Sequence, residues 1–205
     1  MLSQRTLNLK DLPDSPAAIQ LRRGFPWLRF EPALEAQFRS MTVTDRMQEI
    51  RVNIGIALAL VLAFSFLDHL ILGGEELTVV NRIERWVMVP ILFLGYAGTY
   101  TRVVERSFRV FATIVAAVVG LAVVACSMQM YQAGLHIIVP SLILTALYIY
   151  FFPALFFYES AFVNALILVA YFAMAVRARQ PMSHLVYNGF VLVFANMVGA
   201  SVSYL

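Results

Sequence analysis

The chain has 205 residues, of which 61% are hydrophobic and 13% are charged, and its mean hydropathy is +0.78. A soluble core of this size cannot hide so much apolar surface, so the composition excludes a soluble protein and predicts an all-α integral membrane protein. The formal net charge is only +3. Because the arginines are scattered along the chain rather than gathered on one soluble face, the sequence also argues against nucleic-acid binding.

The N-terminal part of the chain is less apolar than the rest. Residues 1–27 mix charges and prolines without helical periodicity, which predicts a mobile cytoplasmic arm. In residues 28–51, Leu34, Phe38 and Met41 recur at helical spacing and charged residues occupy the other faces. This pattern fits an amphipathic helix lying on the membrane, and it fits an ordinary solvated helix equally well.

Residues 52–205 contain enough apolar sequence for six transmembrane helices, because one span needs about 20 residues. Pro90 lies early in the second run, where a kink is tolerated if neighbouring helices satisfy the backbone. Pro153 and Glu159 divide a long apolar run into the fourth and fifth spans. The six predicted spans are residues 53–72, 86–100, 110–130, 137–152, 160–176 and 184–205.

An even number of spans places both termini on the same side of the membrane. More arginines flank the spans on that side than on the other, so the positive-inside rule predicts cytoplasmic termini. The arginines on the terminal side are Arg39, Arg46, Arg51, Arg102, Arg106 and Arg109, and those on the opposite side are Arg82, Arg85, Arg177 and Arg179.

Under this topology, all three histidines of the chain fall at the extracytoplasmic ends of different spans. A carboxylate adjoins the first histidine, and a methionine lies near each of the other two. We therefore hypothesise one extracytoplasmic site for a small ligand or a metal. The candidate metal ligands are His69, His136, His184, Asp68, Met130 and Met182.

Several chemistries remain open for this group of residues. Imidazole and thioether ligands suit copper, imidazole with a carboxylate suits zinc, and a pair of axial ligands could hold a haem b iron. Asp68 and His69 could instead bind the polar head of an apolar ligand or a quinone ring. The alternative without a ligand is that the histidines reach the interface and the methionines fill gaps in the bundle.

Three further positions bear on the site and on packing. Arg85, across a short loop from Asp68, could form an ion pair with it, and Asn196 could bond across helices. Arg85 and Asn196 are counted with Asp68 and the histidines as candidate ligand-binding residues. Gly199, three residues after Asn196, predicts that this face of the sixth helix packs inside the bundle or at a dimer contact. The single cysteine, Cys126, lies in an apolar run and is predicted to be buried.

Several short stretches spread over most of the chain resemble one family. They are Leu28-Arg29-Phe30, Pro32-Ala33-Leu34-Glu35 and Phe38-Arg39 before the first span, Phe66-Leu67-Asp68 at its far end, Arg85 and Pro90 in the second, and Asn196 with Gly199 in the sixth. Together they are similar to the six-helix membrane sensor domains of the MASE type. Such domains precede bacterial GGDEF diguanylate cyclases and some class III adenylate cyclases.

The resemblance implies a homodimeric receiver in the bacterial inner membrane. Such a receiver passes an extracytoplasmic or membrane signal through the sixth helix to a downstream linker and cyclase domain. The 205 residues contain no phosphate loop, nucleophile elbow or zinc-protease motif, so we do not expect this part of the chain to be an enzyme. An alternative is a haem-bearing or quinone-interacting membrane anchor of a respiratory complex. Finding all three histidines at one face disfavours electron transfer across the membrane.

Overall fold

A computed structural model describes residues 47–71, 74–135, 138–152 and 155–204. Within these ranges every regular element is helical. Most helices lie on the predicted apolar runs, but residues 74–83 and 102–109, which the sequence analysis left outside the spans, are helical as well. The predicted cytoplasmic arm and most of the predicted interfacial helix lie outside them. The helices are α1 (Met47–Ile71), α2 (Gly74–Ile83), a π-helical turn (Glu84–Met88), α3 (Val89–Gly98), α4 (Arg102–Gln132), α5 (Ile138–Phe151), α6 (Phe157–Arg177) and α7 (Met182–Tyr204).

Four of the described helices, α1, α4, α6 and α7, are long and apolar enough to cross a membrane. Helix α5 is apolar but shorter. The chain is therefore an all-helical membrane protein, as the composition predicts. Residues 47–51, which the sequence analysis assigned to the interfacial helix, begin α1 instead.

Pro90 explains an irregularity in the second apolar run. Because proline has no N–H, it cannot donate to the carbonyl of Trp86, and its ring crowds that carbonyl. The chain responds just before Pro90 with a π-helical turn, in which the N–H of Val89 donates to the carbonyl of Glu84. Helices α2 and α3 thus form one continuous rod with a local change of pitch. Single π-helical turns of this kind are frequent at functional sites.

Two polar contacts tie together helix ends on one side of the bundle. Arg51 near the start of α1 donates through Nη2 to the carbonyl of Thr99, 2.9 Å away, and lies over the Tyr100 ring. Arg109 in α4 forms an ion pair with Glu159 in the first turn of α6. The first contact places a cation against the last carbonyls of α3, where the helix dipole favours it.

On the opposite side, α4 and α6 end in the same way. Gly134 and Arg179 have positive φ angles of 82° and 53°, and the next N–H reaches back to the carbonyls of Met130 and Ala175, respectively. This is the Schellman arrangement, which satisfies carbonyls at a helix end. It turns Gln180 inward, where the Nε2 of Gln180 donates to the sulfur of Met128 in α4 at 3.6 Å.

Close packing between α5 and α7 confirms the prediction for Gly199. A Cβ atom at Gly199 would lie 2.3 Å from Cδ2 of Tyr150, so the tyrosine ring occupies the space that a side chain would need. The same tyrosine donates its hydroxyl hydrogen to Oδ1 of Asn196 at 3.4 Å. The Asn196–Gly199 face of α7 therefore packs inside the bundle, against α5.

This contact predicts a difference between two glycines. Gly199→Ala should lower the free energy of unfolding by about 1–3 kcal/mol, because the added methyl group must displace the Tyr150 ring. Gly55→Ala in α1 is the matched control: a Cβ there meets nothing within 4 Å, so this change should be neutral or mildly stabilising. Thermal unfolding of the two purified variants measures the difference, and equal midpoints would contradict the packing of α7 on α5.

Candidate functional site

A cavity of about 330 Å³ lies within the helix bundle. Residues from α1, the π turn, α3, α4 and α5 line it, and most of them are apolar. Helix α1 packs chiefly against α3. The cavity is the space that separates α1, on one side, from α4 and α5, on the other. A pocket of this size and character is typical of a small-molecule site, where a few polar groups fix the orientation of the ligand.

Two carboxyl groups from different helices meet in this cavity. Asp68 in the last turns of α1 is 7% exposed, and Glu84 at the start of the π turn is 4% exposed. The two carboxyl groups interact with each other, and Glu84 also interacts with Ser65, whose hydroxyl donates to Oδ1 of Asn81 at 3.3 Å. Two ionised carboxylates repel strongly in apolar surroundings, so at least one of the two is protonated. We call Asp68 and Glu84 the acid pair.

Part of the acid pair has no partner within the protein. Oε2 of Glu84 is buried and receives no hydrogen bond from any amide, hydroxyl or basic side chain of the described residues. Among the residues that the structure describes, those that line the cavity include no arginine, lysine or histidine. A buried carboxyl oxygen without a donor is costly. The acid pair therefore leaves hydrogen-bonding capacity facing an apolar space.

The other polar side chains that line the cavity are bonded to neighbouring groups. The hydroxyls of Ser127 and Ser141 lie 3.1 Å apart and join α4 to α5. Thr145 donates to the carbonyl of Ser141, and the Tyr148 hydroxyl donates to the carbonyl of Asn53 at 2.7 Å. These bonds serve the packing of the helices, so the acid pair is the polar feature of the cavity that is open to a ligand.

The cavity reaches the surface of the bundle between α1 and α5. Several large apolar side chains line it and are also at least 41% exposed. These residues are Leu60, Phe64 and Leu67 of α1 and Leu144 of α5. In a membrane-spanning helix such a surface faces lipid. An apolar molecule dissolved in the bilayer could therefore enter the cavity sideways.

Some of the predicted site residues do line this cavity. Asp68 and Met130 are both among its walls, and Cys126 lies one helical turn before Met130 on the same wall. Cys126 is buried, at 7% exposure, as predicted. Two of the candidate metal ligands, Asp68 and Met130, therefore line one cavity, and their role in a metal or ligand site stays a prediction.

The histidines are placed differently. His69 is exposed on α1 next to the inward-facing Asp68, and the exposed His184 packs edge-on against the ring of Tyr131 at a centroid distance of 6.5 Å. Met182 is 73% exposed. Among the described residues, no three His, Cys, Asp or Glu side chains form a group that could hold a metal ion. The metal hypothesis stays a prediction, and it now depends on His136, which lies outside the described residues.

The two remaining candidates also lie away from the cavity wall. Arg85 is exposed, and within the described part of the chain it forms no ion pair with Asp68, whose carboxyl contacts Glu84 instead. Asn196 bonds to Tyr150 and to the carbonyl of Leu192. The structure thus gives Asn196 a role in packing and leaves its predicted contact with a ligand untested.

Glu84 is the site residue that the sequence analysis missed. It stands between Arg82 and Arg85 in a polar segment that looks like a loop flank. The available signal was Pro90, because a proline in a helical run disturbs the preceding turn and can redirect one side chain from that turn. The apolar pattern alone did not show that Glu84 turns inward while Arg85 stays exposed.

No protein-family model matches the chain, and no curated protein matches it either. The similarity to MASE-type sensor domains therefore remains an expectation based on short stretches.

The unpartnered acid pair predicts that its removal stabilises the protein. Glu84→Gln and Asp68→Asn should each raise the free energy of unfolding by roughly 1 kcal/mol, or the unfolding midpoint by about 2–4 °C, because each abolishes the buried carboxyl contact. Glu49→Gln, at an exposed position of α1, should leave the midpoint unchanged. Lower midpoints for both buried variants would mean that the acid pair is a stabilising contact rather than an unfilled site.

Proposed function

We propose that this chain is a membrane sensor domain that binds a ligand from the bilayer in its cavity. The observation that carries the proposal is an apolar cavity of about 330 Å³ that holds a buried acid pair and reaches the lipid-facing surface between α1 and α5. Nothing in the packing of the helices requires carboxyl groups in such a place. Perturbed ionisable groups in a pocket are characteristic of functional sites.

A path from the cavity to α7 supports the sensory role. Helix α5 contributes Leu144 and Tyr148 to the cavity wall, and its Tyr150 packs into the space over Gly199 of α7 and bonds to Asn196. A ligand that shifts α5 would therefore press on α7 through the Tyr150 ring. Coupling of this kind needs a ligand that favours one of two packing states of the helices.

We further propose that α7 continues the signal into a cytoplasmic diguanylate cyclase or, second in order, a class III adenylate cyclase, in a homodimer joined through this helix. The similarity of the short stretches to MASE-type domains supports this part.

The proposal includes six spans, with α2–α3 and α5 crossing in addition to the four long helices, and both termini in the cytoplasm of a bacterium. The ion pair of Arg109 with Glu159 supports this topology, because the sequence analysis expects both residues at the cytoplasmic ends of their spans.

The proposed topology can be tested by labelling single cysteines from outside intact cells. In a Cys126→Ser background, Gly74→Cys should react with a membrane-impermeant maleimide, and Glu105→Cys should react only after the cells are opened. The reverse pattern would invert the topology. Reaction of both positions from outside would contradict six spans.

The receptor role can be tested by filling the cavity in the full-length gene product, where we expect an in-frame cyclase domain beyond residue 205. Ala57→Phe should change cyclic nucleotide output in cells severalfold, because Ala57 lines the cavity. Ala59→Phe is the matched control two residues along α1, at an exposed position outside the cavity wall. Equal output from the two variants at equal membrane levels would remove the receptor role, and a stop codon at position 206 would remove the cyclase.

A further inference from the structure

The chemistry of the cavity narrows the class of ligand, provided that the proposed receptor role is correct. The cavity offers two unlike ends. One is the acid pair, beside which the described lining residues supply no cation, and the other is an apolar space that leads to the lipid-facing gap between α1 and α5. A ligand that satisfies both ends must combine a positive, hydrogen-donating group with an apolar tail.

The acid pair favours a protonated amine over a metal ion. Calcium and magnesium take about six to eight oxygen ligands, whereas most of the described residues that line the cavity with Asp68 and Glu84 are apolar, Met88 and Val123 among them. An ammonium group instead needs only three hydrogen-bond acceptors. The acid pair carries one net negative charge when it shares a proton, so one protonated amine balances that charge.

The size of the cavity limits the tail. At about 30 Å³ for each group of the size of a water molecule, about 330 Å³ holds on the order of ten non-hydrogen atoms. This number suits one medium-length alkyl chain. The exposed side chains of Leu60 and Leu144 at the gap leave room for a longer tail to continue into the bilayer.

We infer that the cavity binds an amphiphile with a single protonated amine on an alkyl chain, with the amine at Asp68 and Glu84 and the chain directed to the gap between α1 and α5. Oε2 of Glu84 lacks a hydrogen-bond donor, and an N–H group of the protonated amine supplies one. The alkyl chain replaces empty space with contacts to the apolar wall. An alkyl carboxylate of the same length would place a third carboxyl group, and a further negative charge, beside the acid pair and should be rejected.

The test compares three probes with the same alkyl chain: decylamine, decanol and decanoate. Each is added to the purified chain in lipid nanodiscs, and the thermal unfolding midpoint is measured. Decylamine should raise the wild-type midpoint by roughly 5–10 °C at one hundred times its dissociation constant. Decanol should give a smaller rise, and decanoate should give none.

Variants assign the effect to the site. Glu84→Gln and Asp68→Asn should lose most of the decylamine shift and keep the decanol shift, whereas Ala57→Phe should lose both. The exposed Glu49→Gln should keep both, which controls for general binding of amines to acidic surfaces. The unfolding midpoint itself reports whether each variant is folded.

The outcomes separate this inference from the proposed function. If decanol or decanoate stabilises the wild type more than decylamine, and Ala57→Phe abolishes that effect, the cavity is a receptor but the amine assignment is wrong. If decylamine stabilises the wild type and Glu84→Gln equally, the acid pair does not bind the amine. If no probe shifts the midpoint through the cavity, both the inference and the receptor role fail.

Discussion

The contact between the carboxyl groups of Asp68 and Glu84 is the constraint on which the account of this protein depends. Burying a carboxyl in an apolar bundle is unfavourable, and burying two in contact is more so. Asp68 and Glu84 connect α1 to the α2–α3 rod, which Ser65 and Asn81 also connect through a hydrogen bond of 3.3 Å. A contact that costs stability and has an unpartnered oxygen is better explained by binding than by folding.

The backbone around Pro90 places this contact. A regular helix from Gly74 to Gly98 would keep a uniform pitch, whereas the π-helical turn inserts extra backbone between Glu84 and Met88. That turn leaves Glu84 and Met88 facing the cavity and Arg85 exposed. Pro90 cannot donate the regular helical hydrogen bond, and the π-helical turn before it carries Glu84. The proline thus affects the site although it does not line the cavity.

Much of the architecture could be predicted from the sequence, because long apolar runs indicate membrane helices. Pro153 and Glu159 correctly divided α5 from α6, and Gly199 correctly identified the packed face of α7. Both signals are local in the sequence. The first is a proline between two apolar segments, and the second is a glycine three residues after an asparagine that can form a hydrogen bond. Asp68 was also identified, since a carboxylate near the end of an apolar span is unusual.

The partner of Asp68 could not be predicted, because two features that are remote from Asp68 in sequence decide it. The π turn orients Glu84, and the separation of α1 from α4 and α5 opens the cavity in front of both carboxyls. The sequence offered Arg85 as the natural counter-ion and His69 as a neighbouring ligand, yet both are exposed. The spacing of apolar residues along one helix does not predict the distance between that helix and its neighbours.

The most direct test of the central claim is an experimental density map of the chain in lipid, at a resolution that shows side chains. The account predicts elongated density in the cavity between α1 and α5, with one end within hydrogen-bonding distance of Glu84 and Asp68. A cavity closed by the movement of α1 against α4 and α5, with the two carboxyls turned out to the interface, would contradict it.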